Sequence, residues 1–108
     1  MAGAGVRDIL LEGPWRHRDI AANGIRFHVA ARPTLQPSRQ LVVLLHGFGE
    51  FWWAWRHQLP ALDEAGFSVA AMDLRGYGAS DKTPRGYDPQ TTAFDVTGVI
   101  KSLDSPAA

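Results

Sequence analysis

The residues that stand out for chemistry are His46-Gly47-Phe48-Gly49-Glu50, followed at once by the aromatic group Phe51, Trp52, Trp53 and Trp55. Glycines at 47 and 49 let the backbone turn tightly, which frees the N–H of Phe48 to point into a cleft instead of pairing in a sheet. An N–H held that way can stabilise an oxyanion. The same residues also read as a plain strand-to-helix turn in which the tryptophans bury a helix against a sheet, and composition alone favours that plainer reading.

Downstream, Asp73-Leu74-Arg75-Gly76-Tyr77-Gly78-Ala79-Ser80 is a second polar, glycine-containing loop. It is not a dinucleotide fingerprint, because Asp81 stands where a third glycine or alanine is needed. His17-Arg18-Asp19 with Asn23 imitates a kinase catalytic loop, but the asparagine comes one residue early and no glycine-rich nucleotide loop precedes it. The histidines at 17, 28, 46 and 57 show no metal-ligand spacing, and the chain has no cysteine for a thiolate site or a disulfide. No metal and no organic cofactor is expected.

The elements that must position these residues follow from pattern. Asn23-Gly24 between Trp15–Ala22 and the alternating Ile25, Phe27, Val29 predicts a β-hairpin with one polar face, at the margin of a sheet. Leu41 to Leu45 is an unbroken apolar run, read as a strand buried on both faces. Val69 to Met72 is a second such run, separated from the first by enough chain for a parallel crossover. The crossover helix is expected from about Trp52 to Ala65, divided by Pro60 and ended by Gly66. Arg32 to Arg39, with Pro33 and Pro37, reads as a loop. Asp88-Pro89 opens a last helix whose apolar face is Val96, Val99, Ile100 and Leu103, stopped by Pro106. Strand, strand, strand, helix, strand, helix is the opening of an α/β fold.

The 108 residues suit one domain, and eleven basic residues balance eleven acidic ones. That balance argues against nucleic acid or an anionic membrane as partner. No apolar run reaches the roughly 18 residues of a membrane span, so the expected location is cytoplasmic.

With both loops in place, the run from His46 to Tyr87 resembles the α/β-hydrolase superfamily, and within it the epoxide hydrolase and haloalkane dehalogenase branch. The matching residues are His-Gly-Phe-x-Glu-x-Trp from 46, Trp-Arg-x-Gln-Leu-Pro-Ala-Leu at 55 to 62, Ala65-Gly66-Phe67, and Asp-x-Arg-Gly-x-Gly-x-Ser from 73. The resemblance implies an α/β fold in which residues 1–12 are a flexible N-terminus. Residues 13–108 then form a partial domain of four strands and the first two helical segments, truncated before the nucleophile elbow. It makes the Phe48 N–H one oxyanion-hole donor, with His46, Gly47 and Gly49 shaping the turn and Trp52 lining the substrate pocket. Epoxide hydrolases usually carry proline where Gly49 stands, whereas esterases and carbon-carbon bond hydrolases more often have glycine, so those classes stay open beside a non-catalytic binding module.

The superfamily's nucleophile sits in Gly-x-Ser-x-Gly or its aspartate equivalent, and no serine or aspartate of this sequence has glycine on both sides at that spacing. No triad residue is therefore expected, and the chain alone is expected to be inactive. A small-molecule substrate belongs to the full-length form. The Leu41 to Leu45 strand, left with one unpaired edge, is expected to promote self-association.

Overall fold

The computed structural model describes residues 10–32 and 38–104. Strands β1 (Arg16–Ala22), β2 (Ile25–Ala31), β3 (Leu41–Leu45) and β4 (Ser68–Met72) form one sheet in the order β1-β2-β4-β3. A short 3-10 helix over Trp52–Trp55 and helix α1 (Gln58–Glu64) connect β3 to β4, and helix α2 (Pro89–Asp104) closes the described chain. The element order is the expected one.

The hairpin forms where Asn23-Gly24 places it, both residues taking positive φ, 48° and 84°, with Ala22 opposite Ile25. That is the two-residue turn whose twist matches the strands it joins. The polar face expected of both strands holds only for β1. In β2 every residue from Phe27 to Ala31 is buried, because β2 lies between β1 and β4 and is covered on both sides. Phe27 and Val29 pack with Val99 of α2, while Ala30 packs with Trp52 and Leu59 on the other face.

β3 departs from expectation in the opposite sense. Its first four residues are half-buried and Leu45 is 40% exposed. The strand stands at the sheet edge, paired in parallel with β4 alone. The apolar run was a sound strand signal, but burial depends on lateral order, which a local pattern does not carry.

The crossover is in two pieces as expected, with the break elsewhere. It falls at Arg56-His57, and Pro60 is the third residue of α1, where its missing N–H would have had no intrahelical partner. Gly66, at φ 101°, ends α1, with Gly66 N–H bonding Asp63 O and Phe67 N–H bonding Leu62 O, at 3.0 and 3.1 Å. This pair of bonds satisfies the last carbonyls of the helix.

Asp88 caps α2 through the Thr91 N–H at 3.0 Å and the Thr91 hydroxyl at 2.7 Å. Of the expected face of α2, Val99 is buried with Val96 and Leu103 packed beside it, whereas Ile100 is 36% exposed and Asp95 is buried instead. Asp95 takes an inward place because an arginine and an asparagine reach it there. The expected loop around Pro33 and Pro37, the stop at Pro106 and most of the expected flexible N-terminus lie outside the described residues. Within that N-terminal stretch, Leu11 O accepts hydrogen bonds from Trp15 and His17.

Candidate active site

The parallel register of β3 and β4 runs from Leu41 opposite Ser68 to Leu45 opposite Met72. The next residues, His46 and Asp73, therefore leave the sheet side by side at the carboxyl ends of two parallel strands. That edge is where open α/β sheets form their crevices.

From His46 the chain makes a turn over Gly47-Phe48-Gly49-Glu50, closed by the Glu50 N–H on Gly47 O at 3.2 Å. Gly49 takes φ 79°, which a type II turn demands at its third residue and which glycine alone reaches cheaply. Phe48, second in the turn, has a 96% exposed side chain. Its N–H lies in neither ladder nor helix and has no acceptor among the described residues. Beside it is a cleft of about 240 Å³ lined by His46, Gly47, Phe48, Leu74, Tyr77 and Tyr87, among others.

His46 is buried, and both of its ring nitrogens are bonded to backbone groups. Leu74 N–H donates to its Nε2 at 3.0 Å, which leaves the ring hydrogen on Nδ1, and Nδ1 donates to Gly47 O at 2.8 Å. Gly47 C=O and Phe48 N–H are opposite ends of one planar trans peptide. Holding that carbonyl from His46 and Glu50 sets the direction of the Phe48 N–H. Tyr77 packs on the His46 ring, centroids 4.8 Å apart.

Asp73, fully buried, holds the other end of the same turn. Its Oδ1 accepts the Trp52 N–H at 2.7 Å, and its Oδ2 accepts the Ala79 N–H at 3.0 Å and faces His28 Nδ1 at 2.8 Å. Ser80 Oγ donates to Asp73 O at 2.6 Å and accepts the His28 N–H at 2.9 Å. The loop can close so tightly because residue 78 is glycine: a Cβ there would lie 2.1 Å from Asp73 Oδ2.

Arg75 also lines the cleft, with its guanidinium engaged by carboxylate and carbonyl partners. Its Nε and Nη2 donate to the two oxygens of Asp95 at 2.9 Å each, and Asn23 Nδ2 donates to Asp95 Oδ1 at 2.8 Å. The bonded Asp95 carboxylate holds the Arg75 guanidinium above its ordinary pKa, against a smaller opposing effect of burial. The hairpin turn, the loop after β4 and α2 are thus joined at one carboxylate.

Of the expected site residues, His46, Gly47 and Phe48 come together at the cleft, and Gly49 shapes the turn behind it. Trp52 does not line this cleft. It is fully buried against Trp15, His17 and Trp53, with ring centroids 5.2, 5.0 and 5.5 Å away, because the 3-10 helix turns residue 52 toward the sheet. The run from Asp73 to Ser80, singled out in the sequence, supplies the second half of this geometry: Asp73 holds the chain at Trp52, and Arg75 ties the loop after β4 to α2.

The sequence from residue 40 to 104 matches the family model of the alpha/beta hydrolase fold. The chain belongs to the α/β-hydrolase fold family. This α/β-hydrolase chain is 44% identical over 94 residues to epoxide hydrolase B of Mycobacterium tuberculosis, which covers 85% of the chain and 26% of that protein. It is 40% identical over 89 residues to epoxide hydrolase 3 of Siraitia grosvenorii, covering 81% of the chain and 27% of the relative. Among solved structures, an epoxide hydrolase from Vigna radiata superposes with TM-score 0.77 at 36% identity, over 85% of this chain and 30% of that one. The α/β-hydrolase chain therefore spans under a third of the length of these relatives and is similar to an N-terminal portion of them.

Proposed function

We propose that this chain supplies the N-terminal part of a cofactor-independent epoxide hydrolase-type enzyme, in which the Phe48 N–H is one oxyanion-hole donor. The unpaired Phe48 N–H beside the cleft is the observation that carries this reading, and the likeness to epoxide hydrolases supports the choice of substrate. In the complete enzyme a carboxylate supplied by a further segment attacks a ring carbon, the C–O bond that breaks leaves an oxygen that takes up a proton, and water then attacks the carbonyl of the resulting ester to release the diol and the carboxylate. Negative charge collects on the ester oxygen during that attack, and a fixed N–H aimed at it lowers the barrier without having to reorganise. His46 and Asp73 serve by holding the two ends of the turn. A cytoplasmic location is part of the proposal; no helix among the described residues is long and apolar enough to cross a membrane.

The test is a chimera in which this chain replaces the matching segment of the Mycobacterium relative. The chain alone is expected to hydrolyse an aryl epoxide no faster than buffer, and the chimera is expected to turn it over. Phe48→Pro then removes the donor while keeping the turn, because proline suits its second position. It should lower kcat by about 10²- to 10³-fold. An active chimera whose kcat is indifferent to Phe48→Pro would sink the assignment.

A further inference from the structure

Behind Asp73 runs a polar cluster, buried at His28 and half-buried at His17, whose two histidines the proposed chemistry does not use. It begins at the carbonyl of Leu11, 2.7 Å from His17 Nε2, continues from His17 Nδ1 to His28 Nε2 at 2.8 Å, and ends with His28 Nδ1 at 2.8 Å from Asp73 Oδ2. The two imidazole planes are inclined by 28° with centroids 5.0 Å apart, so the rings meet edge to edge, and Trp52 stands edge-on to both. His28 and Asp73 are 1% and 0% exposed.

The hydrogens in this chain of contacts can be counted. A backbone carbonyl only accepts, so His17 Nε2 carries a hydrogen. An ionised carboxylate only accepts, so His28 Nδ1 carries one as well. Asp73 suits that form, since it also takes the N–H groups of Trp52 and Ala79. Each neutral imidazole has then used its one hydrogen, and the two remaining nitrogens face each other 2.8 Å apart. Two bare lone pairs at that distance repel, and 2.8 Å leaves no room for a water between them. One further hydrogen converts the repulsion into an N–H···N bond.

We infer that the His17–His28 pair holds one proton beyond two neutral imidazoles, balanced by the Asp73 carboxylate, and that this proton fastens β1 to the loop after β4. A shift of the same proton along to the carboxyl oxygen leaves the count unchanged. The remaining charges on that sheet face are spoken for. Asp19, opposite His28 in the β1–β2 register, is 57% exposed and paired with Arg26 at 3.2 Å, and Arg26 also reaches Asp81 at 3.4 Å. The 3-10 helix places Trp52 against both rings, and the loop after β4 places Ser80 on the His28 N–H, neither of them charged. Asp73 is the carboxylate bonded to the pair among the described residues. The inference stands apart from the hydrolase reading: the fastening is a pH-responsive strap, closed while the proton is present.

Long-range 1H–15N spectra of the imidazole rings in the full chain, at about pH 8 and so above the ordinary histidine range, test the count directly. His17 Nε2, His28 Nδ1 and one of the two facing nitrogens, or their average, should report bound hydrogen. Two bare facing nitrogens would overturn the inference. His17→Phe keeps an aromatic ring in that place and removes both nitrogens, and so gives a second readout. Above the unfolded histidine range the folded chain then holds one proton that the unfolded chain has lost, so its unfolding constant should rise with pH, by at most about tenfold per pH unit. That slope should disappear in His17→Phe, and equal slopes in the two proteins would count against the shared proton. If His17→Phe does not fold, the ring spectra of the native chain decide alone.

Discussion

At the scale of single residues, the Asp73 carboxylate joins three separate stretches of chain, at Trp52, His28 and Ala79. Replacing it with alanine leaves the Trp52 and Ala79 N–H groups and a histidine nitrogen buried without their acceptor. A loss of about 3 to 5 kcal/mol is expected, read as a lower denaturant midpoint with the slope unchanged. Gly78→Ala strikes the same point from the other side. It forces a methyl group into the carboxylate at a residue with φ 54°, and should destabilise by more than about 1 kcal/mol. A Gly78→Ala protein as stable as the parent would show that the loop is free to move away. Phe48 was readable in the sequence because glycines on both sides of it signal a turn wherever they occur. Asp73 was not, since its partners Trp52 and His28 stand far from it along the chain and come near only when β2, β3 and β4 align.

At the scale of elements, the local signals carried most of the fold. Asn23-Gly24, Asp88-Pro89 and Gly66 each mark a boundary through their own backbone or side-chain chemistry, and each does so in the structure. Order across the sheet has no such signature. The hairpin takes the expected margin through β1 and β3 has the expected bare edge, but the full burial of β2 and the half-burial of β3 were not legible in their own residues. The α2 cap gives a pH test. The hydroxyl and N–H of Thr91 hold the Asp88 carboxyl below its ordinary pKa. A carboxyl with a depressed folded-state pKa contributes stability above its unfolded value and loses it as pH falls through the folded one. Asp88→Ala should therefore lower Tm at pH 7, and the gap between the two proteins should close as the pH is brought below the ordinary aspartate range. A gap independent of pH would mean that the cap is not held by charge.

At the scale of the whole molecule, the exposed edge of β3 is the feature to watch. Leu41 to Leu45 holds no charge and no proline, and Leu45 opens onto a groove of about 660 Å³ shared with Pro89, Ala93 and Val96 of α2. Unpaired strand edges of this kind recruit other strands. Sedimentation velocity should show concentration-dependent association of the chain, and Leu45→Lys should shift it toward monomer. A parent chain that stays monomeric throughout would remove the edge from consideration.

The joint departure of His46 and Asp73 from neighbouring strands bears on anyone who would transplant this loop. Residues 46 to 52 are moored to 73 and 74 at both extremities, through Leu74 on His46 and Asp73 on Trp52. A graft of the first segment alone would arrive without its moorings. The two stretches form one module, to be exchanged together or left in place.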